Sequence, residues 1–369
     1  MRILGFGTYD IRSHPRVGVL LDGLRQQGYT VDELNRPLGI GTAGRVDALK
    51  SARAALSFVM TLVARWGSLI WGSLRFRGKN SPDALLVGYL GHFDVVLARL
   101  LFPTHQLLLD HLIFAADTAA DRRLDGGAKS VLLRLLDWTA LCCASTIIVD
   151  TPDHKRLVPE RFQSKAVVVP VGAPDSWFDA RSVQDAPSTA ERPSIVFFGL
   201  FTPLQGTPTI ANALEALDRQ GVACDVTLVG SGQDAEECRE IIRTLSDNVA
   251  VTWHDWVSAE DLPFLVARHD ICLGIFGTSA KSQHVVPNKA YQGMAAGCAL
   301  VTSDTPSQRA MLHGASFVPS GDSEALAAEL ERLLTEPSDL ESAKSACAER
   351  ADEAFHPRTV IANLREFLK

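Results

Sequence analysis

A chain of 369 residues with 46% hydrophobic and 21% charged side chains is long enough for two ordinary domains, each with its own core, and too apolar to be disordered. Its formal net charge of −7 excludes the extended basic footprint that nucleic-acid binding requires, so no nucleic-acid partner is expected and any phosphate must be held locally. The seven cysteines, an odd number without a CxxC pair or a metal-like cluster with histidine, read as buried thiols in a reducing compartment; no metal site is expected from them.

In chain order, the opening MRILGFGTYD carries one charge before a short apolar run, which fits a first strand at Arg2–Phe6 better than a secretory leader, so a cytoplasmic protein is expected. A helix of period near 3.6 follows at Gly18–Gln27. Ala54–Leu74 is next, an apolar stretch whose only charge is Arg65, flanked by Lys50, Arg53, Arg75, Arg77 and Lys79. It is long enough to span a bilayer, but a central arginine costs roughly 2.5–3.5 kcal/mol there. Two readings remain: a helix packed on the first sheet, or one lying at a membrane interface through residues 54–79, with Trp66 and Trp71 as anchors. Strands are then predicted at Ala84–Tyr89, His105–Leu109, Thr146–Val149 and Ala166–Val171, with a helix at Ser130–Cys143. A second series starts at Ser194–Phe198 and continues with Val226–Val229, Ala250–Trp253, Ile271–Gly274, Ala299–Thr302 and Ser316–Val318. Alternating strands and helices predict two doubly wound parallel-sheet α/β domains. The expected boundaries are 1–175 for the first domain, completed by a closing tail helix at 355–369, a Pro-rich linker at 176–193, and 194–354 for the second.

Ligands of open α/β sheets lie beyond the strand C-termini, which directs attention to the turns. After the first strand comes GFGTYDIRSHPRVG, with Gly7, His14 and Arg16; it lacks the GxGxxG dinucleotide fingerprint, so it is either a ligand loop or an ordinary βα turn. VGYLGHFD offers His92, and LLLDHLIFAADTAADRR offers Asp110, His111 and Arg122; singly, each also reads as a satisfied polar residue or surface charge. The second half has the richer pattern. IVFFGLFTPLQGTPTI places Gly199, Thr202, Gln205 and Gly206 in a turn opening a helix, and Asp270–Leu312 carries Lys281, His284, Asn288, Lys289 and Gln292 around a helix start. A helix N-terminus with a nearby lysine suits a diphosphate, whereas the plainer reading of Lys281 and Lys289 is two solvated loop charges.

The stretch NKAYQGMAAGCALVTSDTPSQRAM, with the IVFFG turn, GSGQ at Gly230–Gln233 and HDW at His254–Trp256, resembles family-4-like retaining glycosyltransferases over nearly the whole chain. That resemblance implies the GT-B fold, two Rossmann-like domains facing across a cleft, and transfer of a hexosyl-type sugar from a nucleotide-sugar donor, with retention, to a glycan or lipid-linked acceptor in polysaccharide or glycolipid assembly. It implies no bound cofactor or metal. The family carries two glutamates eight positions apart before an Ala-Met-Ala-x-Gly segment, and aligning on Met294–Gly297 puts His284 and Gln292 at those places. Gln292 would then face the ribose, since an amide still hydrogen-bonds a diol. The family's Gly-Arg…Lys-Gly phosphate turn corresponds to Gly199–Gly206, which has neither cation, so the charge must come from Lys281 or Lys289. Asp110-His111 stands where related enzymes place a histidine near the reactive sugar carbon, which makes these two the catalytic candidates, with Gly7, His14, Arg16, His92 and Arg122 on the acceptor side. A sugar-nucleotide-binding GT-B protein without transferase activity is the alternative.

Overall fold

The computed structural model of the chain describes residues 1–11, 14–39, 52–89, 91–112, 114, 128–183 and 192–368. They form two compact units, Met1–Pro170 with Pro357–Lys369, and Val171–His356.

The first unit is a six-stranded parallel sheet in the order β2-β1-β3-β4-β5-β6. Its strands are β1 (Arg2–Gly7), β2 (Thr30–Asn35), β3 (Ala84–Val87), β4 (Gln106–Asp110), β5 (Thr146–Val149) and β6 (Ala166–Val168). β1, β3, β4 and β5 are continuous apolar runs because helices cover both faces of a parallel sheet. On one face lie α2 (Ala52–Ser73), α3 (Asp94–Leu101) and α4 (Ala128–Cys143), which share a core with Leu85, Leu107 and Ile147. On the other, α1 (Arg16–Gln26) packs with the tail, α14 (Pro357–Val360), through Leu20, Leu24, Ile361 and Leu364. β2 escaped prediction because its sequence, TVDELN, has no apolar run: it is an edge strand whose Asp32 and Glu33 pair with Arg2 and Arg25.

Among the described residues one helical run, Arg53–Phe76, is long and apolar enough to cross a membrane. One stripe of it is nevertheless committed to the fold: Leu62, Leu69 and Ser73 are buried, and the indole of Trp66 donates to Asp94 at 2.9 Å. The opposite stripe, Leu56, Val59, Met60, Val63, Ile70, Trp71 and Leu74, is exposed.

The second unit is a parallel sheet in the order β12-β11-β10-β7-β8-β9. The strands are β7 (Ser194–Phe198), β8 (Cys224–Val229), β9 (Val249–His254), β10 (Ile271–Leu273), β11 (Ala299–Ser303) and β12 (Ser316–Val318). Those that matter for the site are followed by α7 (Thr207–Gln220), α10 (Asn288–Ala295) and α11 (Pro306–Met311). The unit begins earlier than the sequence reading placed it. Of the linker expected at 176–193, the part up to Ala180 lies in a helix, α6 (Asp175–Ala180), whose Trp177 is buried and stacks on Phe198 at 5.5 Å. An aromatic residue in a Pro- and Ser-rich stretch supplied enough apolar surface to dock that stretch on the core.

Candidate functional site

In the second sheet the winding reverses between β7 and β10, so the loops leaving these two strands diverge and leave a crevice at their C-terminal ends. The loop after β7 is a tight turn: the carbonyl of Thr202 accepts from the N–H groups of Gln205 at 2.8 Å and Gly206 at 3.2 Å. Gly206 sits at φ +66°, and a Cβ there would come within 2.4 Å of the Phe276 carbonyl carbon, so this turn can close on the loop after β10 only with glycine. Phe276 N–H in turn donates to the Gln205 carbonyl at 2.9 Å.

Lys289, the second residue of α10, reaches into this turn. Its side chain is buried; Nζ donates to Gln205 Oε1 at 2.7 Å and lies 3.6 Å from the centroid of the Phe197 ring. Gly199, at φ +140°, makes room for it, since a Cβ there would stand 2.9 Å from Nζ. Burial pulls the Lys289 amine well below its ordinary value of 10.5, opposed only by the neighbouring Cys272 thiol. Among the described residues no carboxylate lies within ion-pair distance of it. The turn that lacks its own cation thus receives one from a helix that begins some 80 residues further along the chain.

The remaining second-half candidates surround this point unequally. Asn288 is half-buried at the start of α10, and Gln292 is buried one turn on, on the same face as Lys289. Lys281 is half-buried and His284 exposed on a loop held by the Ser282 hydroxyl, which donates to the Gly277 carbonyl at 2.6 Å. Sequence reasoning missed the support beneath the loops. The Thr302 hydroxyl donates to Gln308 Oε1 at 2.6 Å, and Gln308 Nε2 donates to Ser303 Oγ at 2.8 Å, all of it buried. In the HDW segment that contributed to the resemblance, His254 and Trp256 are exposed and Asp255 pairs with Arg239 at 2.7 Å.

In the first sheet the reversal falls between β1 and β3. Gly7 ends β1, and the next residue, Thr8, donates to Asp94 from both its amide and its hydroxyl at 2.7 Å. The His14 ring packs on Tyr89 at 4.5 Å. Arg16 and Asp110, chosen separately from the sequence, meet each other: Nε donates to Asp110 Oδ1 at 2.8 Å, Nη2 donates to the Val169 carbonyl at 2.9 Å, and both side chains are buried. Burial pushes the Asp110 carboxyl up, against the pull of Arg16. The pair therefore ties α1 to the strand ends and sets the two charges against each other, although Arg16 Nη1 and Asp110 Oδ2 have no hydrogen-bond partner among the described residues.

His111, just past β4, and His92, in the turn after β3, are buried with ring centroids 5.0 Å apart. Burial, helped by His92, holds the His111 imidazole down to about 3. The sequence shows no metal-like cluster, yet folding brings His92, His111 and Asp137 of α4 together, with ligand atoms all within 4.8 Å of one another. Asp137 went unnoticed, as did His154 and Asp150 after β5, whose hydrogen bond, working against burial, raises the His154 imidazole. Arg122 lies outside the described residues.

Residues 192–336, which run from β7 through both crevice loops and beyond, match the family model for Glycosyl transferases group 1. This match lies wholly within the second unit. Among curated proteins, none matches the sequence. Solved structures similar to the whole chain include sucrose-phosphate synthase from Thermosynechococcus elongatus, with a TM-score of 0.66 at 15% identity, covering 99% of this chain and 98% of that one. HepE from Anabaena, in complex with UDP and glucose, gives 0.65 at 12% identity, covering 100% and 98%. An α,α-trehalose-phosphate synthase (UDP-forming) from Burkholderia xenovorans, in complex with glucose-6-phosphate, gives 0.66 at 14% identity, covering 100% and 99%. Likeness at such identities speaks for the fold, and the fold is GT-B, as the sequence resemblance implied. Within the matched segment, Lys289 and the 199–206 turn lie at the crevice of the winding reversal.

Proposed function

We propose that this chain is a glycosyltransferase that moves a hexosyl-type sugar from a nucleotide-sugar donor, with retention, to a glycan or lipid-linked acceptor in polysaccharide or glycolipid assembly. The observation that carries the reading is Lys289: a buried amine with no carboxylate within ion-pair distance among the described residues, delivered to a glycine turn at the winding reversal of the segment that matches glycosyl transferases group 1. A diphosphate supplies the missing counter-charge. As the glycosidic bond breaks, negative charge grows on the leaving nucleoside diphosphate, and a preorganised cation beside the uncapped start of α10 stabilises it without rearrangement. On this reading the charge comes from Lys289 and backbone amides, and the donor site takes no metal. Gln292 hydrogen-bonds the ribose, and the first-unit strand ends serve the sugar and acceptor. The UDP complex of HepE and the UDP-forming trehalose-phosphate synthase make UDP the first nucleotide to test.

The exposed stripe of α2, with Arg53, Arg75, Arg77 and Lys79 at its ends, fits peripheral attachment to an anionic bilayer on the cytoplasmic side, where a lipid-linked acceptor would be met.

The test is a thermal-shift screen with UDP, GDP, dTDP and ADP and their sugar conjugates, followed by an assay for sugar release or transfer. A nucleotide at a hundred times its dissociation constant stabilises by about 2.7 kcal/mol. One base standing out, with its effect lost in Lys289→Ala and turnover present, is the expected result. Silence toward all four sinks the reading. Binding without turnover favours the second reading, a sugar-nucleotide-binding protein, for which the replacement of two family glutamates by His284 and Gln292 is the specific argument.

A further inference from the structure

We propose that His92, His111 and Asp137 form a binding site in the first unit for one divalent transition-metal cation of the zinc class. The three side chains come from separate elements, the turn after β3, the end of β4 and the middle of α4, and none is more than 6% exposed. Asp137 shares the core-facing stripe of α4 with Ala140, Leu141 and Ala144.

The geometry separates this cluster from an ordinary His–Asp hydrogen bond. His92 Nε2 lies 3.2 Å from Asp137 Oδ1, yet among the described residues it makes no hydrogen bond. Two atoms at that distance but misaligned for a proton between them are placed as neighbouring ligands are: with metal bonds of about 2.0–2.2 Å, tetrahedral ligand atoms stand about 3.3–3.5 Å apart. The second observation is His111. It is 2% exposed, and among the described residues neither ring nitrogen has a hydrogen-bond partner, an expensive arrangement for a buried imidazole. With all three ligand atoms within 4.8 Å of one another, a ring shift of about 1 Å closes the set at those bond lengths. Two imidazoles and one carboxylate suit zinc and its neighbours rather than magnesium or calcium, and leave a fourth position open. Phe114, edge-on to His111 at 4.6 Å, provides an apolar flank. A bound cation would fix the ends of β3 and β4 against α4.

The experiment uses the full-length chain, stripped with EDTA and titrated with Co2+, then with Zn2+ as competitor. One equivalent of cobalt with the visible spectrum of a four-coordinate site, two paramagnetically shifted imidazole signals, displacement by zinc, and at least a tenfold weakening in His92→Gln and in Asp137→Asn is the expected result. No such spectrum from the unaltered chain overturns the proposal, as does cobalt binding that carries fewer than two imidazole signals or is equally tight in both folded variants. Should either variant fail to fold by circular dichroism, the spectrum and imidazole count of the unaltered chain decide.

Discussion

Each unit buries a cation near the strand ends of its sheet, but the two are provided for differently. In the first unit the Arg16 guanidinium meets the Asp110 carboxylate at 2.8 Å and a backbone carbonyl at 2.9 Å. In the second, among the described residues, Lys289 has the amide oxygen of Gln205 and the face of Phe197 and no carboxylate. A buried ion pair holds elements together, and breaking it strands a charge; a buried cation without an anion is a cost that ligand binding relieves. The first cation therefore has its anion at hand, and the second has none among the described residues.

The sharpest way to break this contrast is Arg16→Met. It should destabilise the first unit by about 3–5 kcal/mol in urea unfolding, because Asp110 is left uncompensated, and Arg16→Met with Asp110→Leu should recover most of that loss. If the single and double variants were equally unstable, the pair would not be the reason.

Lys289→Met should do the reverse. Without ligand it leaves stability unchanged or raised, while UDP binding weakens by about 1.5–3 kcal/mol, roughly 10- to 150-fold by calorimetry. The pH dependence follows from the depressed lysine. Between its folded value and 10.5 the unfolded chain holds more protons, so unliganded stability rises with pH across that window. A bound diphosphate favours the charged amine, so UDP binding should take up protons there and weaken as pH rises. Calorimetry in two buffers of different ionisation enthalpy measures the uptake, and Lys289→Met should abolish it.

A smaller effect belongs to His154, raised above 6.5 by Asp150. Its contribution is fully present below pH 6.5 and fades as pH rises through the folded value, so His154→Gln should cost about 1–2 kcal/mol at pH 6 and less at pH 8. A cost independent of pH would assign His154 a packing role. The smallest change in folding should come from Leu56→Ser with Met60→Ser on the outer stripe of α2, within about 0.5 kcal/mol. Co-sedimentation with anionic vesicles should nonetheless fall severalfold; unchanged sedimentation would remove α2 from the membrane proposal.

What the sequence determined by itself was local. Continuous apolar runs such as SIVFF and TIIV announce strands buried on both faces, and the turns GLFTPLQG and VVPNK announce loops opening helices, because hydrophobic period and turn chemistry act over a few residues. TVDELN was lost because an edge strand with paired charges has no such period. Only the tertiary structure chose Lys289 over Lys281, set Arg16 and Asp110 against each other, and assembled His92, His111 and Asp137 from positions up to 45 apart in the chain. Which side chains converge depends on the order in which strands are laid into a sheet, and strand order is set by long-range packing that no local pattern encodes.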